Sequence, residues 1–379
     1  MTSIGTLDHA RALMDRLGLG EMDAGAAEFP PGRNENHAGT TSSGRRVFLK
    51  RLSGSRPEAV RRFGRLRDFE QTLAAAQRPG GLPTPPCLGW DEEALVVAFE
   101  WLSGARSGHD LAAAGEFGEE LARTAGRMIG TLHSLAPEQQ PGPEPGPETD
   151  LPRLPPLDLF DCLPLDYFTE ASGACLEGWR MLQPDTSLAG ALRDLRTQER
   201  LAPKTAAHCD LRLDQFLHVD GRLYLCDWEE FRMADPARDV GGFAGEWLYR
   251  AVLEVPGQED PGQEDPGGDG HTGTDPDSAR TGPRHLSHQE VVARGARELN
   301  RLRTRTAAFW DGYRSTRTAA DPGLAVRAAA FAGWHLIDRM FAAAEARPAL
   351  TAVDRAAAGI GRSAVLRPGK FAAVLGLEA

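Results

Sequence analysis

The sequence is poor in cysteine, in long apolar runs and in positive charge. Its five cysteines, Cys87, Cys162, Cys175, Cys209 and Cys226, are scattered, and none forms a C-x-x-C pair. Neither a disulfide framework nor a cysteine zinc site is expected from that spacing. No apolar run reaches the roughly 18 residues of a membrane span. Near the start, Leu7, Ala10, Leu13, Met14 and Leu17 recur at helical spacing, but the continuous apolar core of a signal peptide is missing. A reduced, cytoplasmic protein with no membrane partner is expected. Lys and Arg total 43 against 54 Asp and Glu, a formal charge of −11. That balance argues against a nucleic-acid partner, whose binders carry a basic surplus.

Against these absences stand 379 residues, 41% of them hydrophobic. That supports more core than one layer usually encloses, so two lobes are expected. After the break at Pro30-Pro31-Gly32, a turn-rich stretch runs into Arg45-Arg46-Val47-Phe48-Leu49-Lys50, read as a β-hairpin whose second strand ends in lysine. Val60, Phe63, Leu66, Phe69 and Leu73 recur at three and four, predicting a helix over 57–77. Residues 95–99 form a short apolar strand, and 116–135 a second helix. Residues 136–157 are a Pro-rich linker or loop. Residues 158–202 are helical in pieces, 256–284 read as a disordered acidic insert, and 288–379 as largely helical. The predicted architecture is α+β, with a small β-rich N-lobe over 1–102 and a larger helical C-lobe over 103–379.

The segment from His208 to Asp239 carries the chemistry. Phe216–Val219 and Leu223–Leu225 flank Asp220-Gly221, a strong hairpin signal. Such a hairpin brings Gln215 and Asp227, at its two ends, to the same side. Phosphoryl transfer needs a carboxylate at the attacking hydroxyl and hard oxygen ligands for Mg²⁺. Asp210 offers the first; the Gln215 amide and the Asp227 carboxylate offer the others. An isolated H-x-D is common, and His208 reads as a brace for the loop. Trp228, Cys209 and Cys226 read as core packing.

This block resembles the aminoglycoside phosphotransferase and choline kinase superfamily, relatives of the protein kinases. Its loop H-x-D-x-x-x-x-N is met by His208, Asp210 and Gln215, and its D-P-A-x-D by Asp235-Pro236-Ala237 and Asp239. The resemblance implies a two-lobed, protein-kinase-like fold, ATP and Mg²⁺, Asp210 as catalytic base, and Gln215 with Asp227 as metal ligands. Gln215 departs from the usual Asn by one methylene, which puts the metal site in question. Glu229 is a further carboxylate within reach of a second metal.

A small lobe of this kind presents a strand lysine to the nucleotide phosphates, held by a helical glutamate. Lys50 is the expected lysine and Glu70 its expected partner, with Asp68 competing. No G-x-G-x-x-G loop exists; Gly32 to Thr40 stands in its place. Asn34, Asn36 and Thr40 are candidate phosphate donors there, or members of a plain hairpin turn. Glu100 and Trp101 are placed at the hinge, meeting adenine through backbone groups.

The acceptor is less legible. Trp334, His335, Asp338 and Arg339 lie on one helical stretch, as a substrate wall or as packing. The string GRNENHAGTTSSGRRVFLKRL, with HCDLRLDQFLHVDGRLYLCDWEE, looks like the kinase component of class V lanthipeptide synthetases. That resemblance implies phosphorylation of Ser or Thr in a precursor peptide, with separate lyase and cyclase subunits as partners. Two other readings stay open: a small-molecule kinase for an aminoglycoside, sugar or amino alcohol, and a weakly active kinase-shaped subunit that binds peptide.

Overall fold

A computed structural model of the chain describes residues 11–22, 28, 30, 32–76, 81–139, 152, 155–255, 287–317 and 319–378. The acidic insert expected over 256–284 lies outside the described residues, as does most of the Pro-rich stretch.

The small lobe is an antiparallel sheet of β1 (Glu35–Thr40), β2 (Arg46–Arg51), β3 (Cys87–Asp91) and β4 (Val96–Glu100), ordered β1-β2-β4-β3. Glu28 adds a bridge to Ala38 on the β1 edge. Alternation along β2 sorts its side chains onto two faces. Val47 and Leu49, with Val96 and Ala98 of β4, pack on Leu13, Met14 and Leu19 of the N-terminal segment. Phe48 and Lys50 therefore point the other way, into the cleft.

Helix α1 (Arg56–Ala76) covers that cleft face, burying Phe63, Leu66 and Phe69. Phe69 stacks on Trp228 of the large lobe at 3.6 Å between ring centroids. This aromatic contact ties the small-lobe helix to the segment that carries Asp227.

Beyond a short connection, β5 (Arg106–Ser107) opens the large lobe, followed by α2 (Gly108–Ala113) and α3 (Glu119–Leu132). Four pieces follow: α4 (Asp158–Asp161), α5 (Leu165–Glu170), α6 (Gly173–Leu182) and α7 (Thr186–Leu201). Then β6 (Thr205–Ala207), β7 (Phe216–Val219), β8 (Arg222–Leu225) and β9 (Arg232–Ala234) form two small sheets, β5-β7-β8 and β6-β9. Helices α8 (Ala237–Glu254), α9 (His288–Thr316), α10 (Leu324–Ala344), α11 (Ala352–Leu366) and α12 (Pro368–Val374) complete it. Helix α9 lies along α3, and α10 between α8 and α11. The α3–α9 approach is close enough that a Cβ on Gly126 would sit 1.9 Å from the Phe309 carbonyl oxygen. Only glycine fits there. The observed fold is the expected one, a small antiparallel-sheet lobe on a helical lobe.

Candidate functional site

The hairpin expected around Asp220-Gly221 forms as β7 and β8, with Phe216 opposite Leu225. Both turn residues have positive φ, which the Asp-Gly pair accommodates. One step beyond the ladder, Cys226 N–H donates to the Gln215 carbonyl at 3.0 Å. Gln215 and Asp227 are thereby held at the same end of the hairpin.

Asp239 fixes the loop that carries Asp210. Its carboxylate is fully buried and accepts from the backbone N–H of His208 at 2.7 Å and of Cys209 at 2.8 Å, and pairs with His133 Nε2 at 3.0 Å. It stands in the first turn of α8 and holds the loop as well. His208 bridges the two chemical segments: its Nε2 meets the Cys226 carbonyl at 2.9 Å, next to Asp227. Cys209 and Asp227 both hold φ near +70° (67° and 72°). Non-glycine residues adopt that region at a cost, and such strain gathers at functional positions. Here it precedes Asp210 and falls on Asp227 itself.

Asp210, Gln215, Asp227 and Lys50 line one cavity of about 590 Å³ between the lobes. Lys50 is an ion-pair partner of Asp227, and its Nζ lies 3.2 Å from Glu229 Oε1. Burial opposes the charge of Lys50, but Asp227 and Glu229 outweigh it and raise its pKa. Burial likewise pushes the Asp227 carboxyl up, and the Lys50 charge and hydrogen bond more than reverse this, leaving it well below the usual range.

Glu70 does not hold Lys50. It lies outside the cavity lining, has no ion-pair partner among the described residues, and burial pushes its pKa up to about 7. The helix face that meets the site carries Arg62 instead. Arg62, 2% exposed, pairs with Glu229, which accepts from Lys50 on its other oxygen. The sign of the helical residue is inverted, and the carboxylate comes from two residues after Asp227. Asn34 completes the knot: its Nδ2 donates to Glu229 at 3.0 Å, and its Oδ1 accepts from Ser53 N–H and Arg62. Both Glu229 oxygens are thus engaged by Lys50, Arg62 and Asn34.

Two further expectations, Asn34 and Thr40, are corrected. Asn34 is committed to Glu229 and Arg62 and is not a free phosphate donor. Asn36 does line the cavity, its Nδ2 bonded to the Pro30 carbonyl. Thr40 is exposed at the far end of β1, because Glu35 to Thr40 is strand, paired along its length with β2; only Gly32 to Asn34 remains as loop at the cleft. At the hinge, Glu100 and Trp101 line the cavity as expected, with Glu100 N–H taken by the Pro86 carbonyl and Trp101 N–H by that of Arg46. Leu102 N–H, in the same lining, has no hydrogen-bond partner among the described residues and is the donor available to a base. Phe48 and Trp101 stack at 5.6 Å on the same wall.

Gln215 is 3% exposed, lines the cavity beside Asp227, and its side-chain amide makes no hydrogen bond to the described residues. An amide and a carboxylate side by side on the cavity wall suit a Mg²⁺ ion, which takes few protein ligands and keeps its phosphates and waters.

Asp210 also lines a second cavity, of about 380 Å³, shared with Trp334, His335 and Asp338 but not Arg339. Its side chain keeps 45% of its surface open to these cavities. The surrounding cleft, rather than direct coverage, supplies the burial that pushes its pKa up to about 6, against the nearby charges of Arg212 and His208. A carboxylate there is more basic than usual and faces both spaces. His335 is bonded to Glu246 at 2.7 Å, and Glu246 also accepts from Leu213 N–H.

Residues 28–276, well over half of the chain, match the model of the phosphotransferase enzyme family, APH. No curated protein matches the sequence. Among solved structures, a choline/ethanolamine kinase family protein from Mesorhizobium loti is 16% identical, with a TM-score of 0.50, covering 98% of this chain and 100% of that one. The choline kinase LicA from Streptococcus pneumoniae is 12% identical, with a TM-score of 0.50 and coverage of 94% and 98%. A glucosamine kinase is 16% identical, with a TM-score of 0.51 and coverage of 95% and 84%. At such identities the likeness is one of fold, and it agrees with the family match. The chain belongs to the APH phosphotransferase enzyme family and is a kinase.

Proposed function

We propose that this kinase transfers the γ-phosphoryl group of ATP, with Mg²⁺, to Ser or Thr hydroxyls of a ribosomally made precursor peptide. The observation that carries the catalytic part is the position of Asp210 at the junction of two cavities. One holds Lys50, Gln215, Asp227 and the hinge; the other opens toward an acceptor. Leu102 N–H and the Phe48–Trp101 wall receive the base. Lys50 meets the phosphates, and Gln215 with Asp227 would hold the metal. When bound, Mg²⁺ supplies charge neutralisation on the phosphate oxygens. Asp210 orients the acceptor hydroxyl and takes its proton as the hydroxyl oxygen bonds to the γ-phosphorus. The bond from that phosphorus to the bridging oxygen breaks, and ADP leaves.

The acceptor assignment rests on the likeness of the two long strings, 32–52 and 208–230, to lanthipeptide kinase components. A separate lyase would then expel phosphate and a cyclase would add thiols. A second reading, phosphorylation of a small amino alcohol or amino sugar, is favoured by the names of the structural relatives, choline and glucosamine kinases.

Mass spectrometry separates them. With MgATP, a Ser/Thr/Cys-rich precursor peptide, choline and glucosamine offered together, the peptide is expected to gain phosphoryl groups, and to lose that gain in Asp210→Ala. Phosphorylation of choline or glucosamine alone contradicts the peptide assignment.

A further inference from the structure

The acceptor-side cavity is lined by seven arginines and four carboxylates. Six of these arginines are answered by an acid, and the seventh is Arg61. On α1, Arg61 is exposed and has no ion-pair partner among the described residues. One turn on, Arg65 donates to Glu230 Oε2 at 2.7 Å, and Arg232 donates to that same oxygen. Arg65 and Arg232 thus share one oxygen of one carboxylate, and Arg61 adds a third guanidinium on the same cavity wall. The pKa of Arg65 is lowered, by burial first and then by repulsion from Arg232 and Arg61 against the pull of Glu230. Glu230, Arg61 and Arg65 line the same cavity as Asp210, so this corner shares its space with the proposed base.

Guanidinium groups bind carboxylates and phosphates by paired, charge-assisted hydrogen bonds. A cationic acceptor in this corner would meet like charge, with a desolvation cost added. We propose that the acceptor of this kinase carries an anionic group, carboxylate or phosphate, close to its reacting hydroxyl, and that Arg61 and Arg65 receive it. The inference deepens the peptide-kinase reading and rests on it for the form of the acceptor: a Ser or Thr flanked by acidic side chains.

The test uses the full chain with MgATP and four acceptors: a peptide with one Ser flanked by Glu, the same peptide flanked by Gln, the same flanked by Lys, and glycerate as a small hydroxy acid. The Glu peptide is expected to exceed the Gln peptide by about tenfold in kcat/KM, with the Lys peptide poorest. Arg61→Glu, at an exposed and unpaired position, should narrow or reverse that order without threatening the fold. Equal use of the Glu and Gln peptides overturns the anionic acceptor and leaves the peptide kinase standing. Phosphorylation of glycerate alone overturns the peptide and leaves the anionic acceptor standing. Calorimetry with Ser→Ala versions of the peptides reads the same preference without turnover. Binding of the Lys version as tight as the Glu version overturns the proposal even if no peptide is phosphorylated.

Discussion

Lys50 of the small sheet and Glu229 of the large lobe lie 3.2 Å apart, and Glu229 passes its second oxygen to Arg62 of α1. The helix beside the site therefore steers the lysine through a carboxylate from the opposite lobe. Glu229→Ala leaves Arg62 and Lys50 without that partner in a buried setting. A loss of roughly 3–5 kcal/mol in unfolding free energy is expected. The KM for ATP should rise about tenfold or more. Glu70→Ala should leave that KM nearly unchanged. Equal effects of the two substitutions on KM would contradict the assignment.

Asp210 works as a base only when deprotonated, and its pKa is pushed up to about 6. The acid limb of kcat/KM against pH should therefore fall through about 6, well above an ordinary aspartate. Asp210→Asn should lower kcat by about 10²–10⁴-fold with little change in nucleotide affinity. A profile flat down to pH 5 would exclude Asp210 as the group that titrates.

The same raised pKa works against the fold at neutral pH. The unfolded chain gives up this proton near the ordinary aspartate value, and the folded chain near 6. Stability from this group is thus full below the ordinary value and is lost as pH rises through 6. Asp210→Asn keeps a neutral side chain, so its Tm at pH 7.5 should exceed that of the parent, by something on the order of 1–2 °C given the partial exposure. The gap should close below pH 4. A lower Tm for the variant at pH 7.5 would mean that the folded state does not raise this pKa.

Asp239 accepts two backbone N–H groups and a histidine in a fully buried position. Asp239→Ala should cost on the order of 3 kcal/mol or more and abolish turnover. Asp239→Asn, which keeps one acceptor oxygen, should fall between. Thermal melts paired with kinetics test this; a well-folded, fully active alanine variant would show that Asp239 does not hold the loop.

Much of the fold is legible in the sequence because local rules carry it. The alternation Val47, Leu49 against Phe48, Lys50 sends the lysine to the cleft, and Asp220-Gly221 sets the register that joins Gln215 to Asp227. Long-range pairing is not legible in the same way. A glutamate on the nearest helix is the natural partner for Lys50, but Glu229 and Arg62 are 167 residues apart and nothing local couples them. Thr40 is misplaced by local reading because Gly, Asn and Thr favour turns, while pairing with β2 draws them into strand. The arginines of the acceptor cavity come from several separate segments, and only the fold gathers them.

Central to the proposed catalysis is the convergence of Gln215 and Asp227 on one metal beside ATP. Electron paramagnetic resonance of Mn²⁺ with the full chain and ATP tests it directly. One bound ion per chain is expected in the parent and in Glu70→Ala, weakened in Gln215→Ala and lost in Asp227→Ala. A signal from Asp227→Ala indistinguishable from the parent would contradict it.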